Sequence, residues 1–303
     1  MGFDFSNISL MLFMSISTSA YSRKYMVSGL NTIYQCYEVK KYQPAFAIHT
    51  YNGSVIIAIR GSQEDADFQT YSDFNEIHTP YGIFHSGYYQ AAMYVYSRTY
   101  HYFTSSNTKV YFTGHSYGGS VASIIMAIVR TRHPSLQALA ISFGPPPSMD
   151  LLTSIKNKND IITIVNKNDV IPTLSIGNII EKLKKMHPKY GVLPKQQITN
   201  ELYKIFDSYN TTGVVYGSEI VTKMKLVLPT MAERALKVSR GIKYEVRYPA
   251  GSVYRIGIPG TTSIYDSLID PKLSLNCLED SIDAISHHSP KPYIATLQQT
   301  KMN

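Results

Sequence analysis

Along this chain of 303 residues, short apolar runs alternate with longer helical patterns. The runs Ala45–Tyr51, Ser54–Arg60, Lys109–Thr113, Ala138–Phe143 and Ile161–Asn166, rich in Val, Ile and Ala, read as strands. Asn52-Gly53, between the first two, is a strong tight-turn dipeptide and predicts that they pair as a hairpin. Ser86–Thr104, Tyr117–Arg132 and Asp280–Gln299 read as helices, and Val121–Val129 is apolar nearly all round, which predicts a buried helix. This alternation predicts an α/β fold, with a mostly parallel sheet covered by helices on both faces.

Composition narrows the class. With 44% hydrophobic and 17% charged residues the chain can bury a sizeable core, and wholesale disorder is excluded. Two cysteines, Cys36 and Cys277, make neither a disulfide framework nor a Cys-rich zinc site. No apolar run approaches the ~18 residues of a membrane span. The stretch Ile8–Met14, followed by Ser17-Thr18-Ser19-Ala20, has the outline of a signal peptide, but Asp4 and the lack of Lys or Arg before it argue against one. A helix packing on the body is the favoured expectation.

The formal charge of +8 is unevenly spread. Residues 175–247 hold 10 Lys and 3 Arg against 6 Asp and Glu, so +7 belongs to that segment and the remainder is nearly neutral. Helical patterns at Ile176–Met186 and Glu219–Arg240 mark it as a largely helical insertion, a basic cap over 175–243 on a single domain. Its mixture of Lys and Arg with Ile, Leu, Met and Val suits helices that rest on anionic lipid, on a membrane or a lipid droplet. A solvated cap packed on the body is the other reading, and both stay open. No basic stripe interleaved with aromatics is present, so nucleic acid is not expected as a partner.

The chemistry is concentrated at Gly114-His115-Ser116-Tyr117-Gly118, a G-x-S-x-G motif. An apolar strand precedes it and a buried helix follows, the setting of a nucleophile elbow. Glycines on both sides let backbone segments approach without a Cβ, and the helix N-terminus brings a positive dipole end to the serine. A serine hydroxyl needs a base, and the base an orienting acid. After Ser116 the histidines are His187, His287 and His288; His187 sits in a Lys-rich stretch that reads as solvated surface. Sites in parallel sheets form at the carboxyl ends of strands. Asp160 precedes its strand and lies at the wrong end, whereas Asp169 follows it; Asp150 is the alternative acid.

Several segments resemble the class 3, or fungal-type, lipases of the α/β-hydrolase fold, in that family's order: Val55–Ser62 (V-I-I-A-I-R-G-S), Phe84–Tyr88 (F-H-S-G-Y), Gly114–Gly119 (G-H-S-Y-G-G, with Tyr117 where Leu is usual), Phe143–Pro145 (F-G-P), Asn166–Pro172 (N-K-N-D-V-I-P) and His288–Tyr293 (H-S-P-K-P-Y). The resemblance covers residues 10–174 and 244–300 and leaves most of 175–243 unmatched. It implies a catalytic triad of Ser116, Asp169 and His288, with His287 where the family commonly has Asp. It implies an oxyanion hole from the backbone N–H groups of Ser62 and Tyr117, structural roles for Arg60 and His85, and no metal or organic cofactor. Residues 63–80 occupy the family's lid position, where Phe68, Tyr71, Phe74 and Ile77, spaced three apart, predict one apolar stripe on a short helix. Some members bridge regions like those of Cys36 and Cys277; two free thiols are the other expectation. The expected activity is serine carboxylic-ester hydrolysis of lipid esters, with acylglycerols foremost. A catalytically silent lipase-like binding protein and an esterase for soluble esters are the alternatives.

Overall fold

The β-branched runs form the spine of the molecule. The computed structural model describes residues 8–22, 27–103, 108–209, 221–275, 278, 281 and 283–302. Its main sheet has eight strands in the order β1-β2-β3-β6-β7-β8-β9-β10, with β1 Asn31–Cys36, β2 Phe46–Tyr51, β3 Ser54–Ile59, β6 Val110–His115, β7 Ala138–Phe143, β8 Ile161–Asn166, β9 Ser252–Ile256 and β10 Leu268–Ile269. The five strands β3, β6, β7, β8 and β9 run parallel, and antiparallel strands complete both edges. β2 and β3 form the expected hairpin, with Tyr51 opposite Ser54 and Asn52 and Gly53 both at positive φ. A separate hairpin pairs β4 Glu76–Thr79 with β5 Gly82–His85.

Alternation along β3 assigns its residues to two cores. Val55, Ile57 and Ile59 point to one side, where α3 Ser86–Thr99 and α4 Tyr117–Arg132 pack; Ile56 and Ala58 point to the other. That second side is covered by α1 Leu10–Ser19, through Leu10, Phe13, Met14 and Ile16, and by Tyr293 and Leu297 of a C-terminal helix. α1 is joined to the sheet by a buried Ser17–Thr113 hydroxyl pair at 2.9 Å. α4 is buried from Tyr117 to Val129, as its all-round apolar pattern requires.

The basic segment folds as α6 Ile176–Met186, α7 Lys195–Ser208 and α8 Leu228–Ser239, after the short α5 Leu151–Lys156; the C-terminal helix is α9 Pro290–Gln299. Ile179, Leu183, Ile198, Leu202, Leu228 and Met231 merge with the body's larger core. Three predicted helices are shorter or interrupted: Ser86–Thr104 ends as α3 at Thr99, followed by a helical turn at Tyr100–Tyr102, with residue 104 outside the described residues. Of Asp280–Gln299, residues 280 and 282 lie outside the described residues, and the rest holds a helical turn at Ser286–His288 and α9 from Pro290, because Ser289 and the prolines Pro290 and Pro292 favour a helix start there. Within Glu219–Arg240, residues 221–224 are helical, a turn follows at 225–227, and α8 begins at Leu228 with Pro229 in its first turn; 219 and 220 lie outside the described residues. Among the described residues no helix is long and apolar enough to cross a membrane. Cys36 has a free thiol, and Cys277 lies outside the described residues.

Candidate active site

Ser116 stands between the carboxyl end of β6 and the start of α4, at φ 58 and ψ −131. A side chain at positive φ is strained and persists only where its surroundings enforce it. The surroundings here are backbone. A Cβ on Gly118 would lie 2.1 Å from the Ile59 carbonyl oxygen, so only glycine lets the turn sit against β3. The Ser116 N–H donates to the Phe143 carbonyl of β7 at 2.8 Å, fixing the turn to the next strand.

The candidate acid and base, Asp169 and His288, are buried and come from beyond β8 and before α9. His288 Nδ1 donates to Asp169 Oδ2 at 2.8 Å. Tyr293 Oη, in the first turn of α9, donates to the same oxygen at 2.7 Å and accepts the Asn166 N–H at 3.1 Å. The Ile171 N–H donates to Asp169 Oδ1 at 2.9 Å. This carboxylate therefore faces three donors, which fix its direction. Gly144 (φ 55) makes room for the group: a Cβ there would come within 2.6 Å of both Asp169 Oδ2 and Tyr293 Oη. Burial, then the neighbouring Asp169, holds the Tyr293 phenol well above its ordinary range, so it stays a donor. His288 Nε2 has no partner, and no hydrogen bond joins it to Ser116 Oγ. Asp169 and His288 are brought together, and the link to Ser116 is left open.

A second histidine supports the first. His115 Nε2 lies 2.7 Å from the His288 carbonyl, an acceptor only, so Nε2 carries the proton. His115 Nδ1 then accepts from Tyr21 Oη at 2.9 Å. Burial, then the charge of His288, pushes the His115 pKa well down and keeps the ring neutral. Tyr21, just past α1, thereby braces the backbone of His288. Sequence reasoning missed this chain. His115 lay inside the elbow motif, but nothing local marks Tyr21 as its partner.

The other candidates are occupied elsewhere. Asp150 caps α5, accepting from the N–H groups of Leu152 and Thr153. Asp160 pairs with Arg130 at 2.7 Å. His187 lies in the cap, 3.4 Å from Glu201. The His287 carbonyl accepts from Asn166 Nδ2 at 2.9 Å. His85 accepts the Tyr88 N–H at 3.3 Å and stacks on the Tyr88 ring at 4.0 Å; burial lowers its pKa to about 4.

Ser116 opens on a cavity of about 30 Å³ lined by Ser62, Phe68, Tyr71, Tyr117, Leu174 and Met224, among others. Neither the Ser62 nor the Tyr117 N–H has an acceptor among the described residues. The lid-position helix, α2 Asp65–Tyr71, is shorter than the predicted stripe. Phe68 and Tyr71 lie on it, but Phe74 falls in the next turn and Ile77 in β4. Just beyond it, Asp73 Oδ2 accepts from Tyr42 Oη at 3.2 Å and Ser86 Oγ at 2.9 Å, which anchors the segment that follows α2. Phe68, Tyr71 and Phe74 are all buried. α2 is fixed at its start by buried Asp67, which accepts from Arg60 at 3.2 Å and from the N–H groups of Gln63 and Glu64 at 2.9 and 3.0 Å. From the cap, Lys223 Nζ donates to the Gln63 carbonyl and Met224 lines the cavity. Among the described residues no cluster of His, Cys, Asp and Glu is fit to hold a metal ion.

Residues 56–178 match the model of the family described as lipase (class 3). The segment includes Ser62, Ser116 and Asp169 and ends within α6. No curated protein matches the chain. Three solved structures it is similar to are fungal lipases. The triacylglyceride lipase of Rhizomucor miehei is 18% identical with a TM-score of 0.45, over 54% of this chain and 72% of that one. Lip2 lipase of Yarrowia lipolytica is 12% identical with a TM-score of 0.45 over the same shares. The lipase of Rhizopus microsporus var. chinensis is 17% identical with a TM-score of 0.44, over 54% and 66%. Likeness of that degree speaks to neither substrate nor mechanism.

Proposed function

We propose that this chain, of the class 3 lipase family over residues 56–178, is a serine hydrolase that cleaves acyl esters of lipids, with acylglycerols its foremost substrates. The observation that carries the mechanism is the buried Asp169–His288 hydrogen bond with Nε2 unpaired, in a molecule whose elbow holds Ser116 at positive φ. In this reading Ser116 Oγ attacks the acyl carbonyl while His288 Nε2 takes its proton. Asp169 holds the Nδ1–H tautomer and stabilises the imidazolium. The oxyanion of the tetrahedral intermediate accepts from the N–H groups of Ser62 and Tyr117, each worth about 3 kcal/mol to the transition state. Collapse breaks the ester bond, and His288 returns the proton to the leaving alcohol. Water then gives a proton to His288 as its oxygen attacks the acyl-enzyme; a second collapse frees the fatty acid and reprotonates Ser116.

A fluorophosphonate probe tests this directly. The wild type is expected to label at Ser116 and to release fatty acid from acylglycerols, with Ser116→Ala doing neither. Equal hydrolysis by Ser116→Ala, or a wild type that resists the probe even with detergent present, would overturn the proposal.

A further inference from the structure

The cap carries a surface that the ester chemistry does not use. Where the end of α6 meets the end of α8, three aliphatic side chains face solvent: Val192 is 81% exposed, Ile242 46% and Met186 38%. The two chain segments touch, for a Cβ on Gly191 would come within 3.1 Å of Ser239 Oγ. Basic residues flank these three along the chain. Lys184, Lys237 and Lys243 are each paired with a nearby glutamate. Lys185, Lys189 and Arg240 have no carboxylate within ion-pair distance among the described residues, so their charge is uncompensated. This edge also adjoins the roof of the site. Two residues beyond Ile242, the Tyr244 phenol interacts with that of Tyr71, which lines the cavity. The next two N–H groups, of Glu245 and Val246, donate to Glu76 Oε1 at 2.6 and 2.8 Å, tying the segment to the hairpin after α2.

We infer that this edge of the cap docks on an anionic phospholipid bilayer, with Val192, Ile242 and Met186 entering the headgroup layer and Lys185, Lys189 and Arg240 meeting phosphates. Charge complementarity selects the partner: about fivefold in partitioning is expected for each basic residue at an anionic surface. The apolar members decide against nucleic acid, which would use aromatic platforms where this surface has aliphatic tips. A neutral lipid surface would use the aliphatic residues and leave the surplus charge without a counterpart. Docking here does not depend on the hydrolase reading, because a protein inert towards esters would still bind.

The test is sedimentation of the full chain with vesicles, carried out in a Ser116→Ala background so that no lipid is consumed. Vesicles of phosphatidylcholine alone are compared with vesicles containing about 30% phosphatidylglycerol, whose anionic headgroups give the surface a negative potential. Expected is binding at least about tenfold tighter to the anionic vesicles, weakening as salt is raised. The triple variant Lys185→Glu, Lys189→Glu, Arg240→Glu should lose at least about 100-fold, and Val192→Asp with Ile242→Asp should also release the protein. The same surface changes should leave the urea unfolding midpoint of the protein unchanged, which separates lost docking from lost folding. Equal binding to both vesicles, wild-type binding by the triple variant, or displacement by duplex DNA at stoichiometric concentration would overturn the inference. Failure of the probe to label Ser116 bears on the hydrolase reading alone.

Discussion

At the scale of single residues, the acid of the proposed triad is held by contacts that leave no spare volume. Gly144 and Tyr293 test this in different ways. Gly144→Ala places a Cβ on top of Asp169 Oδ2 and Tyr293 Oη and also strains a positive φ. It is expected to lower kcat/KM on a short p-nitrophenyl ester by at least about 100-fold, since displacement by an ångström is enough. Tyr293→Phe keeps the ring and removes one donor to a carboxylate, a loss of about 1.5–3 kcal/mol. Its kcat/KM should fall far less than that of Gly144→Ala, while its urea midpoint drops because the Asn166 N–H loses its acceptor. A Tyr293→Phe protein as inactive as Asp169→Asn would contradict a supporting role. Ser116 and its elbow were legible in the sequence because the whole device lies within five residues. The Tyr21–His115 bond spans 94 positions and has no local signature, so it emerged only from the fold.

At the scale of elements, α2 shows how a pattern misleads. Apolar residues at a spacing of three predicted one continuous stripe, yet the same spacing runs through a turn and into a strand. The buried stripe is real; its helical continuity is not, since α2 ends at Tyr71 and Asp73 beyond it is anchored by neighbouring hydroxyls. What holds α2 is the Arg60–Asp67 pair. Burial raises the Asp67 carboxyl against the opposing pull of two N–H donors and Arg60. Arg60→Ala leaves that carboxyl unpaired, and a cost of about 3–5 kcal/mol at neutral pH is expected from urea unfolding. At pH 5 the loss should be smaller, because the orphaned Asp67 escapes by taking a proton. A loss that grows towards low pH would show that the pair is not what secures the element.

The molecule as a whole carries a pH dependence written into two other imidazoles. His49, in β2, and His85 are both buried, and burial depresses each pKa from 6.5 to about 4. Below pH 6.5 the unfolded chain takes up protons that the folded protein refuses. Stability therefore falls from about pH 6.5 to about pH 4, by up to about 1.4 kcal/mol per pH unit for each ring. Thermal unfolding across that window should show it, and His85→Phe should flatten the slope. A Tm independent of pH over this range would contradict the assignment. The parallel sheet, its hairpin and α4 were legible because apolar periodicity is local. β9, β10 and the edge strand β1 were not, being short or half-exposed with little pattern of their own.

The 30 Å³ beside Ser116 holds one or two waters and no acyl chain. On the proposed hydrolase reading, turnover is then a product of two quantities, the fraction of molecules ajar at any instant and the rate within that fraction. If one molecule in a hundred is open, about a hundredfold of apparent affinity is forfeited before any chemistry begins. Residues outside the proposed triad, such as Met224 and Lys223 on the cap, can then tune output over orders of magnitude while the reacting atoms stay unchanged. Evolution acting on such a protein has a volume control separate from its instrument.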